Sequence, residues 1–195
     1  MTELEKQIAF IMECDKAKQI VRQNFLADGV RRENDAEHAF HLALMAPILA
    51  SYAPSGTDTF KVVKMVLIHD LVEIDAGDTY AYDPAARLDK AEREKRAARR
   101  IFGLLPKHQA DSLKELWEEF EERKTPEARF ARVLDNLQPI LLQDASGGKS
   151  WRAHGVKKSW VLERNRDTES FMPEIWHLIE EILERNVAKG NLIEE

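Results

Sequence analysis

The chain is predicted to be all-α. Apolar residues return every three to four positions through most of its length, and no period-two alternation survives for more than a few residues. Breakers are also scarce: 8 Gly and 7 Pro in 195 residues, within a composition that is 44% hydrophobic and 33% charged, suit a soluble, largely helical protein. The length supports one sizeable core, and nothing marks an internal boundary, so residues 1–195 read as a single domain.

The first helix is expected over residues 3–27, where Leu4, Ile8, Ile11, Met12, Ile20, Val21 and Phe25 form an amphipathic stripe that closes near Gly29. Asn34 then offers an N-cap with Glu37 in capping-box position. The second helix runs through His38, Leu42, Met45 and Leu49, which puts His38 on the apolar face. Pro47 can kink it, and Ala53-Pro54-Ser55-Gly56 ends it. Val62 to Ile68 is apolar on nearly every side and reads as a buried helix. Residues 76–84 break into a loop around Gly77 and Pro84, with Asp78 at its start. Residues 85–103 carry dense alternating charges, a solvated helix face with Ala91, Ala98, Ile101 and Phe102 inward. Pro106 and Thr125-Pro126 start two further helices. The second has Phe130, Val133, Leu134, Leu137, Ile140 and Leu141 as its core stripe and Asp135 beside it. A Gly147-Gly148 loop and a last helix over roughly 169–188 complete the chain.

Composition also limits function. A net charge of −6 argues against a nucleic-acid polymer as the main partner, since phosphate-backbone binding leaves a basic footprint. The N-terminus has no apolar leader core, and no run of about 18 apolar residues occurs, so neither a membrane nor export is expected. The lone Cys14 cannot form an intramolecular disulfide, which suits the cytoplasm.

Chemistry concentrates at Ile68-His69-Asp70-Leu71-Val72-Glu73, where an imidazole and two carboxylates end an apolar helix. Buried groups of this kind need partners. The residues of metal-ligand type on apolar faces are His38, His69, Asp70 and Asp135, a mixed nitrogen and oxygen set. It suits one divalent ion such as Mn²⁺, Fe²⁺, Co²⁺ or Zn²⁺, with Mg²⁺ possible but less suited to imidazole.

A His, then a His-Asp dyad, then a distant Asp resembles the HD-domain superfamily of metal-dependent phosphohydrolases. The stretches Arg31 to His38, His69 to Asp78 and Asp135 to Pro139 are similar to the blocks of its 5'-deoxynucleotidase branch. The resemblance covers roughly residues 5–145. It implies a helical bundle and a homodimer. It further implies His38, His69, Asp70 and Asp135 as metal ligands, Glu73 and Asp78 as catalytic carboxylates acting on water and leaving group, and Arg31 as the phosphate contact. Deoxynucleotide-specific members tend to carry an Arg-Trp pair in the first helix, whereas this chain has Gln23-Asn24-Phe25 around that place.

The implied activity is hydrolysis of a small phosphorylated substrate, a nucleoside 5'-monophosphate first of all, by attack of water held on the metal. Glu73 is the best candidate for general base, and Asp78 can serve the leaving group. Lys149, Arg152 and His154 are further phosphate candidates, with a solvated loop as the alternative. The rival readings are an HD hydrolase of a cyclic nucleotide, a triphosphate or an alarmone, and a catalytically inactive metal- or nucleotide-binding module.

Overall fold

The computed structural model describes residues 1–83 and 88–195, and among them the chain is helical apart from one short ribbon. Helix α1 (Glu3–Cys14) is started by a Thr2/Glu5 capping box. It ends far short of the expected residue 27. A 3₁₀ turn follows at Asp15–Gln19, and strand β1 (Val21–Phe25) then pairs antiparallel with β2 (Arg32–Asn34), setting Val21 opposite Asn34 and Phe25 opposite Arg32. Turn chemistry outweighs the helical periodicity here. Gly29 adopts φ +67°, Asp28 Oδ1 accepts from Val30 N at 2.9 Å, and Leu26 N donates to Arg31 O at 2.9 Å, closing a hairpin.

Helix α2 (Asp35–Leu49) begins with the expected Asn34/Glu37 capping box and continues through Pro47 into its last turn. Helix α3 (Thr59–Ile68) packs against α2 and is followed by a tight turn over His69–Val72, in which Glu73 N donates to Asp70 O at 2.9 Å. Glu73 therefore opens a separate short helix, α4 (Glu73–Ala76), rather than continuing α3. Gly77 stops α4 at φ +76°, a conformation that costs glycine least.

Residues 84–87, shared between the expected loop and the expected charged helix, lie outside the described residues. Helix α5 (Lys90–Phe102) turns most of its charges to solvent as expected, with buried Glu94 an exception. Helices α6 (Lys107–Glu122) and α7 (Pro126–Ala145) start at Pro106 and Thr125 as the sequence indicates. After α8 (Lys149–His154), the single helix expected near 169–188 is divided between α9 (Lys158–Phe171) and α10 (Pro173–Ala188). Pro173 has no N–H to donate and disfavours helical backbone at Met172, so the ladder is cut there.

The main core joins α2, α3, α7 and α10 through Leu42, Met65, Phe130, Leu134, Leu137, Ile179, Ile182 and Leu183, all fully buried. A second cluster packs Ile101, Phe102 and Trp117 against Ile68 and Val72. The turn after α3 is thus clamped from two sides, which holds His69 and Asp70 in a defined place. No helix among the described residues is long and apolar enough to cross a membrane.

Candidate metal centre

Where α2, α7 and the end of α3 meet, the interior becomes polar. His38 from α2, His69 and Asp70 from the turn, and Asp135 from α7 each present one donor atom, and the four atoms lie within 4.8 Å of one another. His38 Nε2 is 3.1 Å from Asp135 Oδ1, and His69 Nε2 is 3.0 Å from Asp70 Oδ2 and 3.5 Å from Asp135 Oδ1. All four sequence-predicted ligands are brought together.

The far sides of the rings are anchored. His38 Nδ1 lies 3.0 Å from Gln138 Oε1 and His69 Nδ1 lies 2.9 Å from the Val66 carbonyl. With both acceptors taken by Nδ1–H, each Nε2 is left as a lone-pair donor aimed into the cluster, the tautomer metal-binding imidazoles require. His69 Nε2 is buried and has no hydrogen-bond partner. A divalent cation fits this set: two imidazole nitrogens and two carboxylate oxygens converge, and a buried atom waits for a partner.

Electrostatics point the same way. Burial, reinforced by Arg22, pushes the His38 imidazole down to about 4. Burial opposes charge on His69 as well, but Asp70 and Asp135 override it and lift that ring to about 10. Asp70 and Asp135 are both held below the ordinary carboxylate range. Burial opposes this, but His69 and Arg22 prevail at Asp70, and the two histidines and Arg132 prevail at Asp135. Without a metal, the cluster draws a proton as its cation.

Glu73 is 4% exposed and its Oε2 has no partner. Burial, then the Asp70 charge, raises its carboxyl well above the ordinary value. Asp78 lines the same cleft, and its carboxyl is raised by burial and by Asp70, against the pull of Arg22. Both predicted catalytic carboxylates therefore face the cluster's surroundings, and both favour holding a proton more than a surface carboxylate would.

Arg31 is placed elsewhere. It is exposed, lies outside the cleft lining and grips Glu37 through two Nη–Oε contacts of 2.5 and 2.9 Å. Its guanidinium completes the capping box of α2, which is the physical reason it turns away from the site. Arg22 on β1, with Arg132 and Arg164, does line the cleft, and it is the one joined to the dyad: its Nη1 lies 2.6 Å from Asp70 Oδ2 and 3.1 Å from Asp35 Oδ1. Sequence reasoning missed it because a stripe over 3–27 made it an ordinary solvent-facing helix residue. Its signal was a lone charge between Val21 and Phe25, immediately before Gln23-Asn24-Phe25.

The cleft encloses about 920 Å³ including its open mouth, and Tyr80, Tyr82 and Trp151 are among its lining residues. Lys149 and Arg152 serve structure: Lys149 Nζ donates to Gly29 O at 2.5 Å, and Arg152 donates to Gly147 O and to Asn191 Oδ1. The His154 ring packs at a tilt against Tyr80, 4.4 Å between centroids.

The HD domain family model matches residues 14–176. The human protein 5'-deoxynucleotidase HDDC2 is 30% identical over 135 residues, 69% of this chain; the chain spans 65% of that relative's length, just under two thirds. The 5'-deoxynucleotidase hdd1 of Schizosaccharomyces pombe is 25% identical over 184 residues, covering 84% of this chain and 91% of that protein. Among solved structures, a predicted metal-dependent phosphohydrolase from Magnetospirillum magnetotacticum MS-1 superposes with TM-score 0.93 at 44% identity, covering 98% of this chain and 96% of that one. A conserved hypothetical protein from Pyrococcus furiosus superposes with TM-score 0.63 at 25% identity, covering 93% and 99%.

Proposed function

The chain belongs to the HD domain family, and from that premise we propose that it is a metal-dependent phosphohydrolase acting on the phosphomonoester of a nucleoside 5'-monophosphate. The observation that carries this reading is the His38, His69, Asp70 and Asp135 cluster with Glu73 and Asp78 beside it in one cleft. That relatives are named 5'-deoxynucleotidases favours a deoxyribonucleotide.

The four cluster residues would hold one divalent ion, which when bound acidifies water and offsets charge building on the phosphoryl oxygens. Every other task falls to the chain. Glu73, buried beside the cluster with an unpartnered Oε2, takes the proton from the attacking water. The water oxygen bonds to phosphorus as the bond from phosphorus to the sugar oxygen breaks, and Asp78 delivers a proton to the departing alkoxide. Arg22, anchored by Asp35 and Asp70, turns its charge toward the phosphate, the task Arg31 is too far round the surface to perform. Tyr80, Tyr82 and Trp151 offer flat apolar faces for a base.

Phosphate release should be measured on ribo- and deoxyribonucleoside 5'-monophosphates, 3'-monophosphates and cyclic nucleotides, with metal-free protein reloaded with Mn²⁺, Co²⁺, Zn²⁺ or Mg²⁺. Metal-dependent release from 5'-monophosphates is expected. No release from any of them, with metal stoichiometrically bound, would overturn the reading.

We also propose that the chain acts as a cytoplasmic homodimer. Phe40, Leu44 and Ile48 lie at four-residue spacing on the outer face of α2 and are 69%, 50% and 65% exposed, an apolar stripe that a second copy could cover. Sedimentation equilibrium of the wild type and of Leu44→Glu tests it.

A further inference from the structure

Beside the cleft opens a second, smaller pocket. Arg132, Asn136, Arg164 and Asn165 line both, so they form a shared wall, and Arg123 and Arg129 line the second pocket alone. Four guanidinium groups thus surround one space in a chain whose net charge is −6. Asp167 is the carboxylate among its described lining residues.

Only part of this charge is answered from within. Arg132 donates from Nη1 to Asp135 Oδ2 at 2.9 Å and from Nη2 to Glu121 Oε1 at 3.2 Å, but its Nε is buried with no partner. Among the described residues, neither Arg123 nor Arg129 makes a side-chain hydrogen bond or ion pair. Arg129 is held flat on the Phe171 ring, 4.1 Å from its centroid, which leaves its N–H edge available. Arg123 ends α6 in the left-handed conformation, φ 56°, the one non-glycine residue among those described to do so. That backbone costs an arginine roughly 1 kcal/mol more than it costs glycine. Although Arg123 is exposed at the rim of the pocket, partial desolvation and the neighbouring Arg132 and Arg164 charges hold its guanidinium below its ordinary value. A further anion placed among these like charges would offset their mutual repulsion.

We propose that the preferred substrate carries, besides the 5'-phosphate that lies at the metal cluster, a second phosphate, and that Arg123 and Arg129 hold it. The geometry is suited to one molecule spanning both places. Arg132 touches the cluster residue Asp135 directly, and Arg129 precedes Asp135 by six residues on α7, about 9 Å along a helix axis. A single phosphate cannot cover that span, whereas a nucleoside or sugar bisphosphate can. On the shared wall, Asn165 Nδ2 donates to the Val161 carbonyl at 2.8 Å and Asn136 Nδ2 to the Arg164 carbonyl at 3.4 Å. Both Oδ1 atoms lack donors, and they are placed to accept from hydroxyl groups of the segment joining the two phosphates.

This inference rests on the phosphohydrolase reading, and the experiment separates the two. Adenosine 5'-monophosphate and adenosine 3',5'-bisphosphate serve as probes on the Mn²⁺-loaded wild type and on an Arg123→Gln, Arg129→Gln double variant, whose folding is checked by its melting transition. The wild type should show a KM for the bisphosphate at least tenfold below that for the monophosphate. The double variant should erase the difference while leaving monophosphate kinetics unchanged. Equal KM values in the wild type would overturn the proposal, as would equal losses on both probes in the variant. Stimulation of monophosphate turnover by free inorganic phosphate, acting through the same arginines with no preference for the bisphosphate, would also overturn it by making the second anion a separate molecule. Titration calorimetry with both probes covers the remaining case. Tighter, arginine-dependent binding of the bisphosphate without any turnover would reject the phosphohydrolase reading and keep the subsite.

Discussion

Arg22 Nη1 lies 2.6 Å from Asp70 Oδ2, so a strand of the N-terminal ribbon is pinned to the dyad by a contact 48 residues long in sequence. Asp35 Oδ1 receives the same nitrogen at 3.1 Å. Two carboxylates fix the guanidinium, and Glu33 Oε2 lies 3.8 Å from its Nε. Replacing Arg22 with Gln should lower kcat/KM roughly 10²-fold, the scale for removing one oriented donor from a water-poor site. Lysine should not rescue it, because a single ammonium cannot reproduce the fork. Arg31→Gln should leave turnover unchanged, and phosphate-release kinetics on the three variants provide the check.

The unpartnered Glu73 Oε2 and the loop carboxylate Asp78 are expected to separate by leaving group. Glu73→Gln should lose about 10²- to 10⁴-fold in turnover on every ester, with metal content at the wild-type level by elemental analysis. Asp78→Asn should be impaired on a sugar phosphate but close to wild type on p-nitrophenyl phosphate, whose phenolate leaves without a proton. Equal losses on both esters would remove Asp78 from the leaving-group role.

Metal should stabilise the fold as well as serve the reaction. At free Mn²⁺ one hundred times its Kd, linkage adds about 2.7 kcal/mol, roughly 5–10 °C in melting temperature for a chain of this size. His69→Ala should abolish both the shift and the bound metal. A variant that still melts higher with Mn²⁺ would refute the ligand assignment.

The pH dependence of the metal-free protein follows from the same ring. The His69 imidazole, raised to about 10 by Asp70 and Asp135 against burial, binds its proton more tightly folded than unfolded. Its contribution to stability is therefore complete below about 6.5, the ordinary histidine value, and is lost as pH rises from there to about 10. Because metal must displace that proton, calorimetry in buffers of different ionisation enthalpy should show proton release on Mn²⁺ uptake at pH 7, and affinity that rises with pH.

Cys14, which lines a small pocket together with Asp35 and Asp70, supplies a further test. Burial, then the Glu13 charge, pushes its thiol up to about 11. Iodoacetamide should accordingly modify it slowly at pH 7.5, with a rate rising about tenfold per pH unit up to that value. Rapid alkylation at neutral pH would show that this part of the chain is open.

Much of the molecule was legible before folding because the governing rules act within a few residues. The Asn34/Glu37 capping box, the starts at Pro106 and Thr125, and the α7 stripe are local matters of hydrogen-bond satisfaction and side-chain period. Pro173 carried a local signal for the break between α9 and α10, although periodicity alone ran through it. Helix α1 shows the limit of such reasoning. Its apolar stripe is genuine, yet Leu4, Ile8, Ile11 and Met12 remain at least half exposed, since periodicity states which face is apolar and not what covers it.

The candidate site divides along the same line. That His38, His69, Asp70 and Asp135 belong together was decided by sequence, because each sits on an apolar face where an isolated polar group would be costly, and only mutual satisfaction relieves that cost. Tertiary structure alone decided which charged side chains surround them. Arg22 and Arg31 are nine residues apart in one hairpin, equal in chemistry and in local signal. The closing of β1 onto the dyad turned the first inward, and the capping of α2 turned the second outward. The choice between them depends on partners 48 and 6 residues away, and such pairings become defined only when the chain has packed.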